Sequence, residues 1–339
     1  MPTVYFYPDY TSSNNYQLLL NSSCANKNYK FIGIKGFNNL CGLVNSSRIK
    51  KGDFLHLHWI NDIFSNIPAE GLDERALLFF SLISQFKEQG GKLTWTVHNE
   101  FSHDCLDTSF EFLFRKKLCF FSDTIHLHHP ILENKISWLA CNEKIIYAEH
   151  GLYPVKSNIE TCEIINSLGI PDDSTVFLVM GQIRDYKFNS EILESLKALM
   201  NSKRDFLVLF AGRVASNSFK LYLKGLPEKN YRLIDHFLSD QDLSALTARC
   251  DYGLLIYNNI LTPGSLFHFL SHEKSIIAPN LGVIPCYIVN GVNGFVYKDS
   301  TSLSSLLINL ISKKNKKFHD NVFLNNMKNN IKWVYPVNL

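Results

Sequence analysis

The chain has 339 residues, of which 46% are hydrophobic, so it is long and apolar enough for two domains with separate cores. A net charge of +3 is too small to indicate nucleic-acid binding. The eight cysteines form no CxxC pair, which argues against a zinc site and a dense disulfide framework. There is no signal-peptide pattern, and no apolar run of the roughly 18 residues of a membrane span. We therefore expect a soluble or peripheral cytoplasmic protein.

Apolar segments with the pattern of short strands alternate with helical patterns along the first half of the chain. The strand segments are 3–7, 30–35, 54–59, 92–97, 124–128 and 144–148. The helical pattern is clearest over 73–89, 108–119 and 131–139. Strands separated by helices predict βαβ units and a parallel sheet whose two faces are covered.

A second series follows the turn-rich stretch 151–158. Strands are predicted at 174–180, 205–212, 231–235, 252–257 and 275–279, and helices at 189–200, 240–249, 264–271 and 302–312. The pattern predicts an α/β protein of two doubly wound, Rossmann-like domains, 1–155 and 156–317, with ligands in a cleft at the carboxyl ends of the strands. The last part, 318–339, contains a loosely helical pattern that could cross back to the first domain.

Two cations and a helix start form the best candidate for an anion site. In GQIRDYK, Arg184 and Lys187 follow a strand, and in TPGSLFHFL a helix opens at Gly264 and Ser265, shortly after Tyr257 and Thr262. Cations and helix N-terminal N–H groups together suit a diphosphate. The alternatives are a solvated loop for the two cations and a helix cap for Ser265.

Asp240 and Asp242 give a D-x-D spelling that could indicate a metal site. A helix cap at Asp240 with Asp242 in the first turn explains the same spelling without a metal, and we favour it.

A cluster of titratable side chains follows the strand 92–97. Its members, in TVHNEFSHD, are His98, Asn99, Glu100, His103 and Asp104. A histidine or a carboxylate here could serve as the general base that deprotonates an acceptor hydroxyl. The alternative is a turn with a helix cap at Ser102 or Asp104.

Other histidines and one basic segment have less specific patterns. His56 and His58 alternate along a strand, and for them we favour structural roles over metal ligation. For the histidines of HLHHP, residues 126–130, we likewise favour structural roles over metal ligation. His150 lies at the domain boundary, where it could reach the cleft. The basic-aromatic segment 110–121 could rest on an anionic bilayer, although a helix with a buried aromatic face explains it equally simply.

In order along the chain, these motifs resemble those of GT-B glycosyltransferases. The motifs are YPDYTSSNNYQLLL, HLHW, TVHNEFSHD, GQIRDYK, TPGSLFHFL and NGVNGFVY. The chain is similar to the enzymes of bacterial exopolysaccharide, O-antigen and capsule assembly, and most to the xanthan and acetan type of β-mannosyltransferase. The resemblance implies two Rossmann-like domains facing a central cleft. The first would bind the acceptor and the second the nucleotide sugar.

The resemblance also suggests roles for individual residues. Asn14 and Tyr16, with Gln17, match an N-P-Y-Q motif that faces the acceptor or the sugar diphosphate, although Asn15 replaces its proline. His98 and Asn99 would border the donor sugar, and His103 and Asp104 match a following H-[DE] pair. Arg184 and Lys187 would neutralise the leaving nucleoside diphosphate. Ile260 and His268 occupy the two glutamate positions of the E-x7-E motif of many retaining enzymes, which favours inversion.

The sequence therefore predicts a transferase that moves a sugar from GDP-mannose or a UDP-sugar to a glycan or undecaprenyl-linked acceptor. We expect a single displacement with His98, His103 or Asp104 as base, no metal and no other cofactor. The residues expected to bind substrate are Asn14, Tyr16, Asn99, Glu100, His150, Arg184, Lys187, Tyr257, Thr262, Gly264 and Ser265. The expected location is the cytoplasm or the cytoplasmic face of the inner membrane. The alternatives are a nucleotide-sugar epimerase and a non-catalytic glycan-binding or partner subunit.

Overall fold

The computed structural model describes most of the chain and divides it into two compact units. The described residues are 1–24, 28–46, 48–102, 105, 107–140, 142–155, 163–184, 187–201, 205–312 and 327–336. Unit 1 is Met1–Gly151 with Lys332–Leu339, and unit 2 is Leu152–Ile331. Within the described ranges, no helix combines the length and apolar character needed to cross a membrane.

Unit 1 is a sheet of six parallel strands with helices between them. The strands are β1 (Thr3–Tyr7), β2 (Lys30–Gly33), β3 (Phe54–Leu57), β4 (Lys92–Thr96), β5 (Thr124–Leu127) and β6 (Ile145–Tyr147), in the order β2-β1-β3-β4-β5-β6. The helices are α1 (Asn15–Ser22), α2 (Phe37–Asn45), α3 (Leu72–Glu88) and α4 (Thr108–Phe121). All six predicted strands are confirmed, each within two residues at either end.

Side-chain caps explain where two of the unit 1 helices, α1 and α4, begin. Asn14 caps α1 by accepting a hydrogen bond from the Tyr16 N–H, and Asp107 caps α4 by accepting from two N–H groups of its first turn. The predicted cap at Ser102 or Asp104 is thus replaced by Asp107. The predicted helix at 131–139 is instead a 3₁₀ helix over Pro130–Lys135. It ends there because the backbone is extended at Ile136.

Unit 2 repeats the architecture with a second sheet of six parallel strands. The strands are β7 (Thr175–Met180), β8 (Phe206–Ala211), β9 (Tyr231–Ile234), β10 (Tyr252–Leu254), β11 (Ser275–Pro279) and β12 (Gly294–Tyr297), in the order β12-β11-β10-β7-β8-β9. The helices are α5 (Glu163–Ser167), α6 (Ser190–Asn201), α7 (Asn217–Lys224), α8 (Asp240–Arg249), α9 (Gly264–Ser271), α10 (Ile284–Tyr287) and α11 (Ser300–Ser312). The prediction of two doubly wound, Rossmann-like sheets is confirmed.

The strand order shows where each sheet offers a ligand site. The chain winds to one side of β1 and then returns to its other side with β3, and it does the same around β7 with β10. In doubly wound sheets, ligands bind outside the carboxyl ends of the two strands at such a switch point. The residues that follow β1 and β3 in unit 1, and β7 and β10 in unit 2, are therefore the candidates.

Candidate functional site

Two glycines shape the loop that follows β7. Gly181 (φ +101°) and Gly212 (φ +140°) have backbone conformations that L side chains rarely adopt. A Cβ atom on Gly212 would overlap the carbonyl group of Gly181, so the chains leaving β7 and β8 touch there. This close approach sets the position from which the loop carrying Arg184 and Lys187 starts.

Lys187 is a partly desolvated cation at the end of β7. Its ammonium group lies 5.7 Å from the centroid of the Tyr257 ring and 3.3 Å from the place a Cβ on Gly181 would take. Burial, and secondarily the positive charge of Arg184, lower the pKa of Lys187 from 10.5 to about 8. Two cations held this close favour a bound anion, because an anion relieves their repulsion.

The Tyr257 side chain links the β7 loop to the start of α9. Phe188 and Tyr257 form an antiparallel bridge, and the Asn258 N–H donates to the Lys187 carbonyl at 3.1 Å. The Tyr257 and Ser265 hydroxyls are 2.7 Å apart. Because α9 begins at Gly264, Ser265 lies in its first turn and is not its cap. The N-cap residue is Pro263, which has no side-chain hydrogen bond to the helix. The backbone N–H groups of the first turn of α9 therefore lie close to the Tyr257 side chain.

Three further observations concern the loop before α9. The Thr262 hydroxyl oxygen is buried and has no hydrogen-bond partner among the described residues. A Cβ on Gly264 would lie 3.1 Å from the Tyr153 hydroxyl, so a larger residue would crowd that side chain. Gly282, in the left-handed region (φ +50°), lets the next loop pack directly on the Leu261 carbonyl. The loop before α9 is therefore packed through its backbone against the loop that contains Gly282.

His268 faces the body of unit 2. Its Nε2–H donates to the Thr247 hydroxyl at 2.9 Å, because that hydroxyl itself donates to the Leu243 carbonyl. Burial is the main cause that lowers the pKa of His268 to about 3. The imidazole at the second glutamate position of the E-x7-E motif is thus neutral and engaged with α8.

The predicted cap of α8 is wrong by one residue. Ser239 is the N-cap, and its hydroxyl accepts from the Asp242 N–H. Asp240 and Asp242 lie in the first turn, where their charge favours the helix dipole.

In unit 1, Tyr16 lies at the centre of a ring of aromatic and imidazole side chains. Its own side chain is 3% exposed. Ring centroids within 4.9–5.9 Å of it belong to His58, His98, His128, His150, Trp59 and Trp333. These residues follow β3, β4, β5 and β6 or come from the C-terminal segment. We call them, with Tyr16, the histidine ring.

The carbonyl of Ala148 fixes the protonation of two histidines. It can only accept, so His126 donates to it through Nε2–H (2.7 Å) and His128 through Nδ1–H (3.2 Å). His128 Nε2 then accepts from the Tyr16 hydroxyl at 3.3 Å. His150 likewise donates through Nδ1–H to the Gly151 carbonyl at 2.8 Å.

A directed chain of hydrogen bonds extends from His126 to the C-terminal segment. His126 Nδ1 accepts from the Thr96 hydroxyl (2.9 Å), which accepts from His56 Nε2–H (2.7 Å), and His56 Nδ1 accepts from the Tyr335 hydroxyl (2.6 Å). Each step holds only for neutral imidazoles. Accordingly, burial lowers the pKa of His126 to about 4 and that of His56 well below 6.5.

Among the imidazoles of the histidine ring, that of His98 is the partly exposed one. Its imidazole stacks on the Trp59 indole, with centroids 4.2 Å apart and planes 13° apart, and its Nε2 lies 3.2 Å from His58 Nδ1. Burial lowers the pKa of His98 well below 6.5. The His98 imidazole is thus a neutral, oriented hydrogen-bonding group at the end of β4.

The loop after β4 is anchored by side chains of α4 and by the following segment. Arg115 donates to the Asn99 carbonyl at 3.1 Å and pairs with Glu111 at 3.2 Å. The Glu100 carboxylate accepts from the Ser137 N–H at 3.1 Å. Asn99 and Glu100 therefore fix the loop in addition to any role in binding. His103 and Asp104 lie outside the described residues.

Four members of the histidine ring were not predicted as site residues: Trp59, Trp333, His58 and His128. The signal for His58 was the H-x-H spacing at the end of β3, which recurs at the end of β5. Trp333 carried no local signal, because it reaches the histidine ring only through the return of the C-terminal segment to unit 1.

The chain was compared with known proteins. No protein-family model matches it, and no curated protein sequence matches it. Among solved structures, HepE of Anabaena in complex with UDP is similar, with 12% identity, a TM-score of 0.68 and coverage of 97% of this chain and 94% of that chain. Sucrose-phosphate synthase of Thermosynechococcus elongatus has 11% identity, a TM-score of 0.72 and coverage of 98% and 95%.

A glycosyltransferase of Rickettsia africae is a third similar structure. It has 13% identity, a TM-score of 0.62 and coverage of 98% of this chain and 94% of that chain. At identities this low the likeness establishes the fold and leaves the activity to be argued from the site. The chain has the GT-B fold of glycosyltransferases.

Proposed function

We propose that the protein is a glycosyltransferase that takes a sugar from a nucleoside-diphosphate donor. One observation carries the proposal: two cations and the start of α9 converge at the β7–β10 switch point. Lys187, Arg184 and the N–H groups at Gly264 suit the two phosphates of such a donor. HepE, which has the same fold, was solved with UDP and with UDP-glucose.

The cations would act mainly on the leaving group. As the glycosidic bond breaks, negative charge grows on the diphosphate, and preorganised positive groups stabilise it without metal. By analogy with oxyanion-hole donors of other enzymes, removing one such group should cost about 2–4 kcal/mol in the transition state. The lowered pKa of Lys187 would rise again once the anion binds, because opposite charge favours the ammonium form.

The sugar acceptor would be deprotonated by a group of the loop after β4. The candidates are His98, His103 and Asp104, and the favoured outcome is inversion by a single displacement. The Asn99–Glu100 segment would line the binding site on unit 1. Tyr16 and His150, also predicted to bind substrate, are buried, and they would act by packing behind His98. His268 is held by Thr247 and supplies no carboxylate, which is consistent with an enzyme that does not use the paired glutamates.

The donor and the pathway are proposed from the resemblance of the motifs. The donor would be GDP-mannose or a UDP-sugar, and the acceptor a glycan or undecaprenyl-linked oligosaccharide of a cell-surface polysaccharide. Within GT-B enzymes, the xanthan and acetan type of β-mannosyltransferase is the proposed group.

A peripheral contact with the cytoplasmic face of the inner membrane is also proposed. It rests on the outer face of α4. Leu113 and Phe120 are 65% and 58% exposed there, and Lys116 and Lys117 lie between them in sequence. Exposed apolar side chains flanking cations suit an anionic membrane surface.

A nucleotide panel tests the proposed function. We expect one of UDP, GDP, CMP or dTDP to raise the melting temperature of the purified protein by mass action. The Arg184→Ala variant should lose that shift, whereas Lys224→Ala, which removes an exposed cation on α7, should retain it. A panel in which no nucleotide or nucleotide sugar changes the melting temperature would refute the donor site.

A further inference from the structure

His58 is a buried histidine with one satisfied and one unsatisfied ring nitrogen. It follows β3, is 2% exposed, and its backbone N–H donates to the Tyr7 carbonyl at 2.8 Å. Its Nδ1 lies 3.2 Å from His98 Nε2. Its Nε2 is buried and has no hydrogen-bond partner among the described residues.

A single proton must lie between His58 Nδ1 and His98 Nε2. Burial lowers the pKa of both rings well below 6.5, so each carries one proton near neutral pH. In one arrangement His58 donates, and His98 presents Nδ1–H. In the other His98 donates, and it presents the Nδ1 lone pair that a general base needs.

The two arrangements differ in what they leave at His58 Nε2. If His98 donated, His58 would bury an N–H without an acceptor, which folded proteins rarely tolerate. If His58 donates, the buried atom is an unprotonated nitrogen, whose missing partner is the less uncommon defect. The first arrangement is therefore favoured.

The side chains around His98 fix the orientation of its imidazole, and none of them favours the arrangement in which His98 donates to His58. Trp59 stacks on one face, and Tyr16 and His128 approach within 4.9 and 5.7 Å between centroids. The Tyr16 hydroxyl already donates to His128. The other titratable groups that influence His98 are the neutral histidines His56, His126 and His150.

We propose that His58 is a positioning residue that fixes His98 in its Nδ1–H tautomer. His98 then donates a hydrogen bond to a substrate oxygen and does not serve as the general base. This inference rests on the proposed sugar transfer for its role, and it moves the base to another group. The oxygen belongs to the diphosphate or to the sugar, both of which accept hydrogen bonds.

The tautomer is measured directly by long-range ¹H–¹⁵N correlation spectra of the protein with ¹⁵N-labelled histidine. His98 is assigned by its loss in His98→Asn. We expect a protonated Nδ1 and an unprotonated Nε2 at pH 7.5. A protonated Nε2 with an unprotonated Nδ1 would overturn the proposal. This readout needs no ligand, so it stands apart from the proposed function.

Variants of His58 test whether it sets the tautomer. His58→Asn keeps an N–H donor close to the position of Nδ1, and His98 should remain in the Nδ1–H form. His58→Leu removes the donor, and both His98 tautomers should appear. If the His98 spectrum is the same in His58→Leu as in the wild type, His58 is not the controlling group. His129→Asn, next to the histidine ring in sequence, serves as control and should leave His98 unchanged.

Affinity then locates the oxygen that His98 contacts. For UDP and UDP-glucose, or GDP and GDP-mannose if the panel selects guanosine, His58→Leu should weaken binding by the inverse of the fraction of His98 that remains in the Nδ1–H form, about twofold for equal tautomers. His58→Asn should leave the affinity unchanged. Weakening with both ligands indicates a phosphate oxygen, and weakening only with the nucleotide sugar indicates a sugar oxygen. Unchanged affinity for both would overturn the donor role. If the wild type binds neither, the proposed function fails while the tautomer result stands.

Discussion

Acid should unfold unit 1 because its histidines are buried in neutral form. Five histidines of unit 1 are at least nine-tenths buried: His56, His58, His126, His128 and His150. Burial lowers the pKa of each below 6.5, to about 4 for His126 and His150. In the unfolded chain each would titrate near 6.5. Below that pH the unfolded state binds more protons, so stability falls as the pH falls.

The size of the effect follows from these pKa values. Between pH 7.5 and 5.5, a histidine that stays neutral when folded and titrates at 6.5 when unfolded removes about 1.4 kcal/mol of stability. Five such residues together remove about 7 kcal/mol, which is comparable to the whole stability of a domain. At pH 5.5, unfolding should take up between about four and five protons.

Tryptophan fluorescence reports on unit 1 alone, because all four tryptophans of the chain belong to it. We expect urea unfolding followed at this signal to shift to much lower urea between pH 7.5 and 5.5. The His150→Asn variant keeps an N–H donor near the Gly151 carbonyl and should reduce proton uptake by about one. Equal stability at the two pH values, or uptake of fewer than two protons, would show that the histidines ionise within the folded protein.

Three further predictions concern other parts of the molecule. The affinity for the selected nucleotide sugar, whose diphosphate does not titrate near neutral pH, should be constant below pH 8 and fall about tenfold per unit above it, since the Lys187 ammonium loses its proton there. Calorimetry on Lys187→Ala should show no such step. Gly151→Ala should cost about 1–3 kcal/mol in urea unfolding because its Cβ overlaps the Trp333 ring, whereas the exposed control Gly42→Ala should not destabilise. Phe120→Ser should reduce cosedimentation with anionic vesicles, and unchanged cosedimentation would exclude α4 as the contact.

The sheets could be predicted because buried parallel strands are continuous apolar runs. Segments such as Phe206–Ala211 are recognisable without knowledge of their neighbours. The strand β12 (Gly294–Tyr297) was missed, because it begins within the glycine-rich stretch NGVNG, whose composition is typical of a turn. Helix α1 was missed because two positions invert its pattern: the polar Gln17 is buried and the apolar Leu18 is exposed.

The candidate site was predicted only in part, because proximity in a parallel sheet depends on strand order. Arg184, Lys187 and Gly264 were singled out from local patterns at strand ends and helix starts. The contact between Tyr16 and His128 joins residues 112 positions apart, and no periodicity signals it. Likewise, the directed bonds from Tyr335 through His56 require the return of the C-terminal segment to unit 1.

The most direct test of sugar transfer is release of nucleoside diphosphate from the nucleotide sugar that the binding panel selects. We expect the wild type to release it, faster when a glycan or lipid-linked acceptor is present. At saturating donor, Lys187→Ala should be slower by about 30- to 1,000-fold, which corresponds to losing about 2–4 kcal/mol of transition-state stabilisation. Release by Lys187→Ala at the wild-type rate, or no release by the wild type with any donor and acceptor, would contradict a diphosphate-activating site at the end of β7.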